Sequence, residues 1–203
     1  MKSYPSILGP QKAPNLPCIA FDKIDGSQIR AVWSRKREWY KFGTRKRLFD
    51  KVDKDFGCAI KIFQYKFAES IVKIIKRHKK YRDAQTITAF CEFFGENSFA
   101  GNHYVDDEKD LILFDVAVHK HGILGPKEFI DLFGNLDIPE IIYTGNLNKQ
   151  FINDILEGRY PVTFEGVVCK SGTKHDLWMR KIKTKVWLTR LKEKHPDNYD
   201  ELK

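Results

Sequence analysis

The stretch CIAFDKIDGSQIRAVW, residues 18–33, sets two apolar runs, 18–21 and 29–33, on either side of a short charged insert. Both runs carry the β-branched and aromatic residues that suit a strand, so Asp22-Lys23-Ile24-Asp25-Gly26-Ser27 reads as the link between two strands. In extended chain Lys23 and Asp25 point the same way, and Gly26 permits a tight turn or the close approach of another group. A lysine in that position is a candidate nucleophile. Taken alone, it reads equally well as a turn lysine beside a solvated aspartate.

Further strand-like runs lie at 86–94, 111–118, 139–143, 162–169 and 177–182. Helical periodicity covers 67–80, with Phe67, Ile71, Ile74, Ile75 and His78 on one face and Lys73, Lys76, Arg77, Lys79 and Lys80 around the rest. Shorter helices are expected at 127–133, at 149–156 with Gly158 beyond the end, and at 185–194, stopped by Pro196. Strands dominate and no regular βαβ rhythm appears, so the sequence predicts an α+β fold of mostly antiparallel sheets packed with helices. One domain over 1–203 is expected, with 1–16 extended and 184–203 forming a terminal helix and tail.

With 203 residues, 42% hydrophobic and 31% charged, the chain has the composition of a globular protein with a sizeable core. No apolar run reaches a membrane span, and the first residues lack a signal peptide's apolar stretch, so a cytoplasmic chain, with the nucleus also open, is expected. Cys18, Cys58, Cys91 and Cys169 form no CxxC pair, and three of them lie in strand-like runs; all four read as reduced core thiols. The net charge of +9 is unevenly spread. Residues 30–54 hold ten basic and three acidic side chains, whereas 103–165 hold five basic and twelve acidic ones. A basic face of this kind suits a polyanion, and the acidic middle argues against a wholly basic binder.

The Walker A loop, GxGxxG after a strand, HExxH and GxSxG are all absent. What remains is an ordered set of short segments. After Lys23-Ile24-Asp25-Gly26 come Gly43-Thr44-Arg45, Phe90-Cys91-Glu92-Phe93-Phe94-Gly95-Glu96, Leu113-Phe114-Asp115-Val116, Phe164-Glu165-Gly166-Val167-Val168 and Arg180-Lys181-Ile182-Lys183. In this order they resemble the motifs of the covalent nucleotidyltransferase superfamily, the ATP-dependent polynucleotide ligases and mRNA capping enzymes. The resemblance spans residues 23–183 and implies a ligase-type adenylylation domain.

It also implies roles. Lys23 would attack the α-phosphorus of ATP, with Asp25 either a helper in later steps or a structural bond to the turn. Asp22, Gln28, Arg45, Glu92, Phe114 and Glu165 would bind the nucleotide: Glu92 at the ribose, Phe114 stacked on the base, Arg45 on ribose or phosphate. Glu165 would also serve a divalent metal, Mg2+ or Mn2+. A lysine amine of ordinary pKa about 10.4 is protonated at neutral pH, so Lys23 is expected to be depressed by burial or by Lys181, Lys183 and the metal. In a strand Lys181 and Lys183 share a face and can reach one phosphate, or can simply decorate a solvated edge. Phe114 can equally be core, and Glu92, a charge inside an apolar run, needs a partner.

Only twenty residues follow Lys183, too few for a C-terminal oligonucleotide-binding barrel. With Asp22 before Lys23 and Gln28 five residues after it, the pattern is most similar to phage-type RNA-repair ligases of the double-strand-sealing group. The implied partner is nicked or broken nucleic acid, RNA rather than DNA, handled by a monomer. A minimal DNA ligase and a noncatalytic nucleic-acid-binding relative are the alternatives. For contact with the strand, the aromatic-interleaved basic segment supplies Arg35, Lys36, Arg37, Lys46 and Arg47. The basic face of helix 67–80 reads either as a phosphate contact or as a solvated surface. His119 and His121, without a third ligand, read as surface histidines.

Overall fold

The computed structural model describes residues 3–173 and 176–203. Its strands form two wholly antiparallel sheets. The larger, in the order β4-β3-β2-β5-β6-β7, comprises β2 (Ser27–Ser34), β3 (Glu38–Thr44), β4 (Leu48–Phe49), β5 (Thr86–Gly95), β6 (Lys109–Val118) and β7 (Gly122–Ile123). The smaller, β10-β9-β1-β8, comprises β1 (Pro17–Asp22), β8 (Ile141–Asn146), β9 (Gly166–Ser171) and β10 (Trp178–Lys183). The α+β expectation is met. Among the described residues there is no closed barrel, and no helix is long and apolar enough to cross a membrane.

The quoted stretch decides this architecture in a particular way. Its two runs, β1 and β2, never pair; they belong to different sheets, and the link between them crosses from one sheet to the other. Gly26 is needed there for closeness rather than for a turn, because a Cβ would lie 2.3 Å from the Phe93 carbonyl oxygen.

One face of the larger sheet, with Ile29, Ala31, Trp33, Ala89, Cys91 and Leu113, packs on a helical layer carrying Ile60, Phe63, Phe67, Ile71 and Ile75. That layer is α1 (Gly57–Phe63), a π turn (Gln64–Ala68) and α2 (Glu69–Arg77). The helical stretch therefore starts ten residues before position 67 and stops at Arg77, leaving Lys79 and Lys80 in the following turn. Phe63, Phe67, Ile71 and Ile75 recur every fourth residue, which drifts around an ideal 3.6-residue helix; the wider π turn brings them back into phase. Beyond the helices α3 (Pro126–Phe133) and α4 (Lys149–Leu156), a second core forms where Phe151 and Ile155 meet Cys18, Ala20, Val167, Cys169 and Ile182. Three cysteines are buried free thiols as expected, but Cys58 is exposed on α1. Of the two histidines, His119 is exposed and His121 packs edge-on against Tyr81.

The remaining face of the larger sheet and the β1-β9-β10 side of the smaller one enclose a cleft of about 820 Å³. Helices α5 (Lys185–Lys194) and α6 (Tyr199–Leu202) close one end of it.

Candidate active site

At the floor of the cleft, the Lys23 Nζ donates to Glu165 Oε2 at 2.7 Å, and Lys183 Nζ lies 2.9 Å from Glu165 Oε1. Three chain segments converge to build this triad. Lys23 leaves β1 with its backbone N–H on the Gly166 carbonyl at 2.9 Å. Glu165 falls just before β9, and Gly166 is obligatory: its φ is +142°, and a Cβ would sit 2.0 Å from the Ile182 carbonyl oxygen. Thr184 finishes the clamp by donating its N–H to the Glu165 carbonyl at 2.9 Å and its hydroxyl to the Phe164 carbonyl at 3.0 Å.

The electrostatics differ from the expectation for the nucleophile. Burial alone would lower the Lys23 amine, but the carboxylates of Glu165, then Glu92, outweigh it and hold Lys23 above the ordinary lysine value. In this state Lys23 is a paired ammonium. Glu165 stays ionised below the usual carboxylate range despite its burial, because Lys23 and Lys183 flank it. Lys183 is pushed down to about 8, chiefly by burial, and Lys181 is also lowered, by burial and then by Lys23. Glu92, on the opposite wall, is pushed up to about 8 by burial, with the neighbouring carboxylates adding to the effect. At neutral pH it is mainly a neutral carboxyl group that can both donate and accept a hydrogen bond.

Phe114 enters the cleft through a bulge. The β5–β6 register passes from Phe90↔Asp115 to Cys91↔Leu113, so Phe114 is the extra residue turned out of the ladder. Tyr4 meets its ring edge-on at 5.1 Å. Behind the aromatic pair lies a buried ion pair, Lys170 Nζ to Asp115 Oδ2 at 2.8 Å, and the Tyr4 hydroxyl donates to the same carboxylate. Gln28 also lines the cleft, and its buried Nε2 has no hydrogen-bond partner among the described residues. An orphan donor at such a place fits an absent ligand.

Two of the sequence-predicted residues are committed elsewhere. The Asp22 carboxylate, at the edge of the cleft, accepts the Thr163 N–H at 3.1 Å and the Thr163 hydroxyl, which anchors the segment leading to Glu165. Asp25 accepts from the Ala100 N–H at 2.9 Å and from Trp187 Nε1 at 2.6 Å, which ties the link to two distant segments.

The structure brings Arg45, Lys46 and Arg47 to the rim of the cleft, where Arg47 pairs with Asp53 and Asp55. It separates Arg35, Lys36 and Arg37 from them. These sit in the β2–β3 turn, at the end of β2 away from Lys23, about 23 Å off at roughly 3.3 Å per strand residue.

Among the described residues no cluster of three or more His, Cys, Asp or Glu side chains is arranged to hold a metal. Glu165 as a single carboxylate lining a cleft of about 820 Å³ fits Mg2+ or Mn2+, ions that keep several waters and take phosphate oxygens.

Sequence reasoning missed Tyr4, Lys170, Arg30 and Trp187. Arg30, buried in β2, donates to the carbonyls of Thr44 at 2.9 Å and Arg45 at 3.3 Å and thereby fixes the arginine turn. Its signal was a charge inside the apolar run 29–33, the same signal that marked Glu92. Lys170 is two residues from Val168 on the cleft face of β9, which strand alternation alone could have pointed out.

The family model described as RNA ligase matches residues 16–188. No curated protein sequence matches. Among solved structures, a lysine-to-alanine variant of the Naegleria gruberi RNA ligase with ATP and Mn superposes with a TM-score of 0.66 at 18% identity. It covers 96% of this chain and 58% of that one. A glutamate-to-alanine variant of the same ligase with AMP and Mn gives 0.63 at 16% identity, covering 97% and 59%. A chain described as an ATP-dependent DNA ligase from Aquifex aeolicus gives 0.60 at 18% identity, covering 98% and 56%. The present chain thus spans somewhat over half the length of these neighbours, and what it shares with them is the nucleotidyltransferase fold. By its match over most of its length, the chain belongs to the RNA ligase family.

Proposed function

We propose that this chain carries out nucleotidyl transfer as an ATP-dependent RNA ligase. The observation that carries the reading is the triad Lys23–Glu165–Lys183 on the floor of a cleft whose walls present Glu92, Phe114, Arg45 and Lys181. The base stacks on Phe114, Glu92 and Gln28 hold ribose and base, and the phosphates reach Arg45, Lys181 and Lys183. Lys23 Nζ, once it has given its proton away, attacks the α-phosphorus and expels pyrophosphate. The phosphoramidate so formed passes AMP to a 5′-phosphate, and a 3′-hydroxyl then displaces AMP to seal the strand. Glu165 would hold a divalent cation, which would supply charge neutralisation at the phosphates. Preorganised cations facing developing phosphate charge are the main lever in such transfers.

Pairing with Glu165 makes Lys23 a poor nucleophile in the free chain. Glu165 must therefore shift its weight toward Lys183 before attack, leaving the amine free to lose its proton to solvent. Lys46 and Arg47, at the cleft rim, are placed to meet a nucleic-acid end.

Radiolabelled ATP with Mg2+ should yield a covalent, acid-labile, hydroxylamine-stable adduct that Lys23→Ala abolishes. An equal adduct in that variant refutes the assignment. Four nicked duplexes, with RNA or DNA on either side of the nick, test the substrate, because the 2′-hydroxyl distinguishes the two. Fastest sealing of all-DNA nicks would favour the second reading, a DNA ligase, which the likeness to the Aquifex aeolicus chain supports.

A further inference from the structure

The two lysines assigned to the phosphates are already engaged. Lys181 Nζ donates to the Lys203 carbonyl at 2.8 Å, and Lys183 Nζ donates to the Leu202 carbonyl at 2.9 Å. Glu201 and Leu202 line the cleft itself. The segment that reaches in, α6, is held at the edge of the cleft, where Tyr199 and Leu202 pack with Phe99, Trp187 and Leu191. Trp187 joins the two regions, since its ring lies under Lys183 Nζ at 3.7 Å and its indole N–H bonds Asp25 at 2.6 Å. Residues 199–203 thus form a strap across the phosphate end of the site.

We propose that this strap is an internal competitor of the nucleotide: its two carbonyls hold Lys181 and Lys183 until phosphate oxygens displace them. The inference rests on the nucleotidyl-transfer reading, which supplies the phosphates. The Leu202 carbonyl is neutral and a weaker acceptor for an ammonium than a charged phosphate oxygen, and a polyphosphate offers several such oxygens to both lysines at once, so it wins the exchange. While the strap is closed it screens both lysines, and the apparent affinity for ATP is reduced by the fraction of chains that are closed. The Glu201 carboxylate at the same end adds charge that a triphosphate must push aside.

The strap can be loosened without touching either lysine. In the full chain, Tyr199→Ala with Leu202→Ala removes the two anchors on the Phe99–Trp187–Leu191 cluster. The ATP concentration that half-saturates single-turnover adenylylation should fall at least threefold. A half-saturating concentration that stays the same or rises overturns the proposal.

A second measurement needs no folding assumption about that variant. Amide hydrogen exchange across residues 199–203 is followed in Lys23→Ala, with and without ATP and Mg2+. Faster exchange on adding ATP is expected; unchanged or slower exchange overturns the strap. Because binding needs no chemistry, exchange reports on the strap even if the wild-type chain forms no adduct, a result that would strike the function alone.

Discussion

At one end of β2, the link from β1 places an ammonium, Lys23, against a buried carboxylate that a second ammonium also holds. At the other end, the β2–β3 turn displays Arg35, Lys36 and Arg37 to solvent; the Arg35 guanidinium meets the Arg82 carbonyl at 3.0 Å, and the Arg37 guanidinium lies over the Tyr40 ring at 5.3 Å. The second end takes its three cations from consecutive residues, whereas the first draws Lys23, Arg45, Lys181 and Lys183 from separate segments. Only the first has its charges bonded into several elements at once, with burial shifting their protonation. Local charge density marks a surface that attracts a polyanion, whereas bonded, desolvated charge lining a cleft marks a candidate reaction site.

The sharpest test of that contrast removes one cation from the bonded end. Lys183→Ala should lower adenylylation at least tenfold, about 1.4 kcal/mol in the barrier. It should also destabilise the fold by about 1–3 kcal/mol, since Glu165 then lies buried with one partner fewer. Lys181→Ala should match the loss of rate with little loss of stability, because Lys181 has no carboxylate partner among the described ion pairs. Denaturant melts beside single-turnover rates separate the two variants. Equal stability loss in both would mean that Lys183 is not the buried member of the pair.

Next in size is Gly26→Ala. With the Phe93 carbonyl oxygen 2.3 Å from the new Cβ, either the link or β5 must move. About 2 kcal/mol of destabilisation is expected from equilibrium unfolding. A neutral outcome would show that the link can yield, and that Lys23 is held less firmly than its contacts imply.

What the sequence made legible, and what it did not, follows the same divide. Lys23, Glu165 and Lys183 were readable because they lie in short segments whose order along the chain resembles the ligase motifs. Their electrostatics were not. The expected depression of Lys23 assumed neighbouring cations, but the fold puts Glu165 nearer, and that pairing joins residues 142 positions apart. The bond between Asp25 and Trp187 spans 162 positions, which no local pattern reports. Phe114 could be listed but not aimed, since its direction depends on a bulge in the β5–β6 register. The strands of the smaller sheet and β2, β5 and β6 of the larger were foreseeable from apolar runs, but β3, where charges alternate with aromatics, and the two-residue β4 and β7 were not. The start of the long helical stretch was not, because no side chain caps Gly57–Phe63 and a π turn interrupts its period.

A smaller effect concerns protonation. Glu165→Gln removes the carboxylate that holds Lys23 above its ordinary pKa, leaving burial as the stronger influence. The Lys23 pKa should fall, so the amine loses its proton, and becomes reactive, at lower pH. Isotope-edited NMR of reductively methylated lysines reads this directly. The raised pKa has a matching stability consequence: the pair's contribution is fully present below the unfolded lysine value and is lost as pH rises through the higher folded one. In Glu165→Gln that alkaline loss should vanish. An unmoved Lys23 titration would assign the pairing to Glu92 instead.

The smallest effect belongs to the solvated end. Neutralising Arg35, Lys36 and Arg37 together should change stability by no more than about 0.5 kcal/mol, as surface substitutions do. Adenylylation should stay within about twofold, because the first step needs no polynucleotide and these side chains lie about 23 Å from the triad by strand length. Binding to nicked duplex is where the variant should differ. If the turn touches the phosphate backbone, each lost contact removes about one counterion from the salt dependence, so the slope of log affinity against log salt becomes shallower by up to about three. A slope that is unchanged, with sealing intact, would confine nucleic-acid contact to the rim residues Lys46 and Arg47. A large fall in adenylylation would break the comparison itself, since it would mean that the two ends of β2 are coupled through the strand rather than dividing the work between them.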